Sequence, residues 1–257
     1  MAGRLPVAKT YKLFIDGAFP RSESGRTFPV HGPDGTLLAN AARASRKDLR
    51  DAVRTARAAQ EGWAARTAYN RGQVLYRVAE MLEGRRAELA TLLSDTGLGT
   101  EAAEEEVEAS IDRWVWYAGW SDKVHHVLGT VNPVAGPYFN FTVPEPTGVV
   151  GLVAPARPAL LGLVSRLVPA IVGGNTVVVV TGGDASLVAV TLGEVLATSD
   201  VPAGVVNVLT GERAELLPWL ISHLDVNAVD LTGADDDLEA EVVAQAAANV
   251  KRVVFGD

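Results

Sequence analysis

The chain of 257 residues contains no cysteine. This absence excludes thiolate nucleophiles, thiol redox motifs, disulfides and every zinc site that uses a cysteine ligand. Basic residues are also outnumbered, because 23 lysines and arginines face 31 aspartates and glutamates and the formal net charge is −8. A general electrostatic attraction to nucleic acid or to an anionic membrane is therefore disfavoured.

Long apolar runs are missing as well. The longest apolar stretch, 159–173, is interrupted by Ser165, Arg166 and Pro169, and is too short and too polar to span a bilayer. Residues 1–10 lack the apolar segment of a secretory signal. We therefore expect a cytoplasmic protein with no membrane partner and no nucleic-acid partner. A hydrophobic content of 48% with 21% charged residues is typical of a well-packed globular chain.

The first half of the sequence predicts a short hairpin followed by helices. The pair Asp16-Gly17, inside the apolar segment 12–19, is a typical two-residue turn. Ser45, followed three residues later by Asp48, indicates a helix N-terminus. Apolar residues at helical spacing continue over 74–93, and a further helical run ends at residue 120. We interpret the aromatic residues of that last run as core residues. They are Trp114, Trp116, Tyr117 and Trp120.

From residue 147 onward, short β-branched runs alternate with helical patterns. The predicted strands are 149–154, 176–180, 205–209, 227–231 and 250–254, and the predicted helices are 159–172, 185–198, 212–223 and 237–249. This alternation implies a parallel sheet with right-handed crossovers and helices on both faces. We predict an α/β fold, a doubly wound Rossmann-like parallel sheet with N-terminal helices and a protruding β-hairpin formed by two extended segments at 129–146.

In such a sheet, ligands bind outside the carboxyl ends of the strands. Three loops lie there, at 155–158, 181–184 and 232–237. The candidate ligand-binding residues in these loops are Pro155, Thr181, Gly182, Gly183, Thr232 and Gly233. The pair Gly182-Gly183 could wrap a phosphate, but it is more typical of an ordinary turn.

Several long motifs in this order resemble the NAD(P)-dependent aldehyde dehydrogenase superfamily. They occupy 13–19, 116–120, 144–155, 167–178, 201–211 and 231–233, so the resemblance covers essentially the whole chain. It implies a cofactor-binding domain made of 1–128 and 147–257, and an oligomerisation hairpin at 129–146. It also implies oxidation of an aldehyde on a catalytic cysteine, with hydride transfer to a nicotinamide. In the family that cysteine belongs to a further domain, which would begin about where this sequence ends.

Four positions depart from the family pattern. The resemblance places Arg157 where an asparagine stabilises the oxyanion, and Gly256 where a glutamate acts as general base. Glycine has no side chain to accept a proton. Val180 replaces a lysine that contacts the adenosine ribose, and Gly183 replaces a glutamate of the same loop. The aspartates at 235–237 would repel a dinucleotide phosphate, cap the following helix, or do both.

These departures predict a catalytically incompetent aldehyde-dehydrogenase-like subunit for which no cofactor is expected. Its expected partner is a full-length aldehyde dehydrogenase paralogue or a second copy of itself, in which it has a structural or regulatory role. The residues expected to mediate association alternate with the period of a strand. They are Tyr138, Phe139, Asn140, Phe141, Thr142 and Val143. Two alternatives stay open: the NAD- or NADP-binding half of a split aldehyde dehydrogenase, and a nucleotide sensor.

Overall fold

A computed structural model describes residues 7–234 and 239–256. Its central element is a five-stranded sheet with the order β10-β9-β6-β7-β8, in which every neighbouring pair is parallel. The five strands are β6 (Val149–Val153), β7 (Thr176–Thr181), β8 (Val206–Thr210), β9 (Ala228–Asp230) and β10 (Arg252–Val254). The chain places β7 and β8 on one side of β6 and then returns to place β9 and β10 on the other side. This doubly wound order confirms the predicted fold class.

Helices cover both faces of this sheet. Successive residues of each strand point to opposite faces, so each strand contributes side chains to two apolar layers. On β7, Val177 and Val179 join one apolar cluster, whereas Val178 and Val180 join the other. The first cluster includes residues of α2 (Ala68–Gly84), α3 (Arg86–Asp95), α4 (Thr100–Trp120), α6 (Ala159–Val172) and α7 (Ala185–Leu196). The second includes residues of α1 (Arg46–Ala64), α8 (Arg213–Ser222) and α9 (Glu239–Ala247).

The helix starts follow local capping chemistry. At the start of α1, the Ser45 hydroxyl accepts the Asp48 N–H, and the Asp48 carboxylate accepts the Ser45 N–H at 2.8 Å. This reciprocal pair satisfies backbone donors that the first helical turn leaves free. It confirms the helix start predicted at Ser45. The apolar spacing over 74–93 forms two helices, because the chain ends α2 at Gly84 and begins α3 at Arg86.

The N-terminal hairpin predicted at 12–19 forms, and its first strand has a further partner that the sequence did not indicate. Asp16-Gly17 forms the turn, with Ile15 and Ala18 bridged across it, and Phe14 pairs antiparallel with Val208 of β8. The segment therefore extends the edge of the central sheet. A separate three-stranded sheet, which the sequence analysis missed, has the order β1-β3-β2. Its strands are β1 (Thr10–Tyr11), β2 (Thr27–His31) and β3 (Leu37–Ala42).

The aromatic residues of α4 do not all lie in the core. The Trp114 side chain is fully buried, whereas Trp116 is 61% exposed. Residues two apart on a helix point to different sides, and α4 packs against α2, α3 and α6 on its inner side. The interpretation of Trp116 as a core residue was therefore wrong. No described helix is both long enough and apolar enough to cross a membrane.

The segment between α5 (Val124–Leu128) and β6 forms a small antiparallel hairpin of β4 (Thr130–Val131) and β5 (Phe141–Thr142). Thr130 pairs with Thr142, and Val131 pairs with Phe141. The paired strand is shorter than the extended segment expected at 138–143. The assignment of 129–146 as a separate oligomerisation element stays a prediction.

Candidate functional site

The sheet order brings the three predicted loops to one edge. Because β6 lies between β9 and β7, the loop that follows β6 has the other two as neighbours. The Ala154 N–H donates to the Val180 carbonyl at 2.9 Å, and the Gly233 N–H donates to the Val153 carbonyl at 3.2 Å. Pro155, Thr181 and Thr232 therefore lie around the carboxyl end of β6, where an α/β sheet binds its ligands.

Gly233 is required by the close approach of two backbones. A Cβ atom at this position would lie 2.3 Å from the carbonyl carbon and oxygen of Ala154. The loop after β9 therefore packs directly on the end of β6, with no room for a side chain between them. The adjacent Asp230 carboxylate fixes the same loop, accepting the Thr232 N–H at 3.0 Å and its hydroxyl at 2.6 Å.

Gly182 and Gly183 form the turn between β7 and α7. A Cβ atom on Gly182 would lie 2.9 Å from the Gly211 carbonyl oxygen, whereas Gly183 has open space but a φ of +58°. The Ser186 N–H donates to the Gly183 carbonyl at 3.3 Å, which closes the turn. These contacts give both glycines a structural role in the strand-to-helix turn.

Arg157 is engaged by groups of this chain. Its guanidinium donates to the two carboxylate oxygens of Asp184 at 2.5 and 3.3 Å, and to the Thr96 carbonyl at 2.9 Å. This bidentate pair joins the loop after β6 to the start of α7 and to the end of α3. The charge of Arg157 is therefore neutralised, and several of its donors are used.

A second arginine crosses the same edge, and the sequence analysis missed it. Arg213, at the start of α8, donates from Nη2 to the Ala154 carbonyl at 2.7 Å. Since β7 lies between β8 and β6, this side chain passes over the end of β7, and its Cγ lies 3.9 Å from a Cβ atom built on Gly182. The sequence signal for Arg213 is its position directly after the loop that follows β8, which is a fourth loop at the carboxyl ends of the strands.

Three of the four departing positions, Val180, Gly183 and Gly256, have no polar side-chain group. The Val180 side chain is fully buried in the apolar cluster beneath α1 and α8. Gly256 follows β10 and is exposed, and a Cβ atom there would lie 3.0 Å from Cγ2 of Thr232. A larger residue at 256 would have to displace Thr232. The predicted role of the aspartates at 235–237 lies outside the described residues.

The hairpin presents one polar and one apolar set of side chains. Asn132 donates from Nδ2 to Asn140 at 2.8 Å and to Thr142 at 3.0 Å. On the alternate positions, the rings of Phe139 and Phe141 lie 5.3 Å apart. The apolar side chains are largely exposed, with 77% for Phe139 and 57% for Phe141. This alternation matches the predicted strand period, and no described residue covers the phenylalanines.

The site offers no evident metal-ligand cluster. Among the residues that the structure describes, no group of three or more histidine, aspartate or glutamate side chains is placed to hold a metal ion. Among the described residues, the chemistry available at this edge is therefore that of two arginines, the carboxylates of Asp184 and Asp230, threonine hydroxyls and backbone groups.

Comparisons with known proteins agree with this architecture. Residues 19–256 match the model of the aldehyde dehydrogenase family. The chain is 34% identical over 253 residues to retinal dehydrogenase 2 of Homo sapiens, covering 96% of this chain and 48% of that protein. It is 34% identical over 251 residues to the mitochondrial aldehyde dehydrogenase family 2 member B4 of Arabidopsis thaliana. That match covers 95% of this chain and 46% of the plant protein.

A solved structure shows the same likeness. The NAD+ complex of an aldehyde dehydrogenase from Bacillus cereus superposes with a TM-score of 0.89 at 28% identity, covering 96% of this chain and 50% of that one. The chain thus spans about half the length of the relatives that it matches. The family match extends over both halves of the fold, from the N-terminal segment to β10, and the chain belongs to the aldehyde dehydrogenase family.

Proposed function

We propose that this chain is a catalytically incompetent aldehyde-dehydrogenase-like subunit that associates with a full-length aldehyde dehydrogenase or with itself. The observation on which the proposal rests is the engagement of Arg157 by Asp184 and Thr96. At the position where the family holds its oxyanion-stabilising asparagine, this chain has a side chain bound in a structural ion pair. An oxyanion would have to compete with the Asp184 carboxylate for the same donors.

The position of the general base supports the same proposal. Gly256 has no group that accepts a proton, whatever domain completes the site. The Thr232 methyl group also lies 3.0 Å from the space that a side chain at 256 would enter. Loss of the proton acceptor and engagement of the oxyanion position therefore occur together in one chain.

The cofactor positions do not favour a dinucleotide. Val180 is buried among apolar side chains, and Gly183 has no side chain, so neither offers a side-chain group to a ribose hydroxyl. Arg213 crosses the end of β7 close to Gly182. A ligand that approached Gly182 closely would have to displace this side chain from the Ala154 carbonyl. The residues of this edge therefore fit a nicotinamide dinucleotide poorly.

The exposed hairpin supports association. Phe139 and Phe141 form a solvent-facing aromatic pair on a two-stranded sheet, and each strand has one unpaired edge. Exposed apolar side chains beside free strand edges are typical of surfaces that another chain covers.

The test is to purify the chain alone and after co-expression with each full-length aldehyde dehydrogenase of the same cell. Light scattering gives the mass of each species, and NAD or NADP reduction with a panel of aldehydes gives turnover. We expect an assembly of two or more chains, and no turnover by this chain alone. A monomer at every concentration and with every full-length partner would contradict the proposed association.

A second function is the NAD- or NADP-binding half of a split aldehyde dehydrogenase, favoured by the likeness to the Bacillus cereus NAD+ complex. Calorimetric titration with NAD and NADP separates the two functions. Tight binding, with turnover restored when a chain that supplies the cysteine is added, would establish the split enzyme. Absent or millimolar binding would establish the incompetent subunit.

A further inference from the structure

A stacked arginine and tryptophan lie on the surface where α1 packs against α8. The Arg46 guanidinium carbon is 3.7 Å from the centre of the Trp219 ring. Arg46 is in the first turn of α1, and Trp219, on α8, is 40% exposed. Stacking fixes the plane of the guanidinium and leaves its N–H groups, which lie in that plane, directed outward.

The stacked pair borders two depressions with volumes of about 570 and 420 Å³. Arg46, Trp219 and Ser45 line both of them. The larger depression is also lined by Lys47 and Arg50 of α1. Its volume falls within the range of roughly 300–1,000 Å³ that is typical of small-molecule sites.

The larger depression has an excess of positive charge in a chain whose net charge is −8. Among the described residues, three cations line it against one carboxylate, Glu23, which pairs with Lys47 at 3.4 Å. Arg50 approaches only Asp51, at 3.6 Å. In the described part of the chain, Arg46 has no carboxylate within ion-pair distance. Although the molecule as a whole is acidic, this cluster of cations attracts anions to the depression.

The free hydrogen-bond donors of the depression are side-chain groups. Asp48 already accepts the N–H of Ser45, so the backbone at the start of α1 is partly satisfied. His223 also lines the depression, and burial lowers its pKa below the ordinary value of 6.5, which favours the neutral ring. Its Nδ1 accepts the Asp225 N–H at 3.2 Å, which places the ring hydrogen on Nε2.

We propose that this depression between α1 and α8 binds a phosphomonoester that carries a planar aromatic ring, the chemistry of a mononucleotide. Arg46, Lys47 and Arg50 bind the phosphate, and the ring packs on the exposed part of Trp219. The three cations and the one carboxylate that line the depression carry a net charge of +2. A dianionic phosphate balances this charge better than a ligand with a single carboxylate group does. None of the loop residues after β6, β7 or β9 lines this depression, so the site is distinct from the edge described above.

The first test is calorimetric titration of the purified chain with AMP, adenosine and inorganic phosphate in separate experiments. We expect AMP to bind at least about tenfold more tightly than either fragment, because it engages both the cations and the ring. We also expect the affinity for AMP to fall as salt is raised, since screening weakens contacts between exposed charges. An affinity for AMP no higher than that for adenosine or for phosphate would overturn the proposal.

The second test locates the bound AMP. Arg46→Ala and Trp219→Ala should each weaken AMP binding by about tenfold or more. Arg54→Ala is the matched control, because Arg54 lies on the same helix, is 76% exposed and is outside the depression. Arg50→Ala leaves the stack of Arg46 on Trp219 intact and should also weaken AMP binding. This variant therefore still tests the site if the Arg46 and Trp219 variants are too unstable to measure. Unchanged binding in the Arg46, Arg50 and Trp219 variants would place AMP elsewhere and overturn the proposal.

Discussion

Gly233 joins two loops of the candidate site through a backbone contact that leaves no room for a methyl group. Because the Cβ of an alanine would lie 2.3 Å from Ala154, Gly233→Ala must force β9 and β6 apart at their carboxyl ends. We expect it to lower the free energy of unfolding by about 3 kcal/mol or more. Urea denaturation followed by circular dichroism measures this change.

Gly62→Ala is the matched control for this substitution. Gly62 is an exposed residue inside α1, and a Cβ atom there has open space around it. Alanine reduces the freedom of the unfolded chain and favours the helix, so the same change should stabilise by about 0.5–1 kcal/mol. Equal effects of the two substitutions would contradict the packing argument at Gly233.

Glu106 illustrates a carboxylate that acts across two helices. It is a buried residue of α4, and its Oε1 accepts the N–H groups of Leu160 and Leu161 at 2.7 and 3.1 Å. Pro158, the residue before α6, has no side-chain donor or acceptor to cap that helix. Glu106 therefore supplies the missing cap, with a charge that favours the positive end of α6.

We expect Glu106→Ala to cost about 1–3 kcal/mol, because it leaves one buried and one part-buried N–H group without an acceptor. Glu105→Ala removes a neighbouring exposed carboxylate and should change stability by less than about 0.5 kcal/mol. Thermal melting of the two variants compares them directly. Equal melting temperatures would show that Glu106 does not cap α6.

At the scale of elements, the sequence predicted the second half of the chain well. The helix at 159–172 matches α6, and the five predicted strands correspond to β6 to β10 within a few residues. Buried β-branched runs between amphipathic helices are a strong signal, because local pattern and tertiary burial agree there. The connection rules then predict a parallel sheet, and the shared edge at its carboxyl ends is where the candidate loops were expected.

The elements that were missed depend on contacts distant in the sequence. β2 contains Pro29, and β3 contains two leucines and three alanines, so neither has a clear strand pattern. The bridge from Phe14 to Val208 spans most of the chain. Arg213 reaches the Ala154 carbonyl through the sheet order alone. The sequence indicates that Arg213 follows a predicted strand, but it contains no local signal for the partner in any of these contacts.

An ion-pair cluster connects α7 with the N-terminal segment and with the junction of α2 and α3. Glu194 lies 2.6 Å from both Lys9 and Arg85. Burial alone would raise the pKa of Glu194, but hydrogen bonds from Lys9 and Arg85 outweigh it and hold the pKa below its ordinary value of 4.5. The folded state therefore favours the ionised carboxylate, and the cluster stabilises the fold at neutral pH.

The lowered pKa predicts an acid-dependent loss of stability. Between the folded pKa of Glu194 and 4.5, the unfolded chain binds more protons than the folded chain, so stability falls as pH falls through this window. Glu194→Gln should have lower stability at pH 7 and a shallower decline below pH 4.5. Urea denaturation at several pH values measures both quantities. An unchanged slope would show that Glu194 does not contribute to the acid sensitivity.

At the scale of the whole molecule, the chain has the fold of the family, and our proposal places departures from the family's chemistry at four positions. The two apolar clusters and the sheet are complete, but Arg157 is engaged by Asp184 and Gly256 lacks a proton acceptor. A chain of this kind can keep the surfaces by which a family member associates without keeping the reaction.

The hairpin provides the test of this separation. Phe139 and Phe141 are 77% and 57% exposed and pack mainly on each other, so Phe139→Ser with Phe141→Ser should leave the melting temperature of the isolated chain nearly unchanged. If the hairpin forms the proposed interface, the same double variant should shift the mass measured by light scattering toward that of a monomer. Tyr69→Ser is the control, because Tyr69 is 71% exposed on α2 and lies outside the hairpin. An assembly that survives the double variant, or that Tyr69→Ser disrupts equally, would place the interface on another surface.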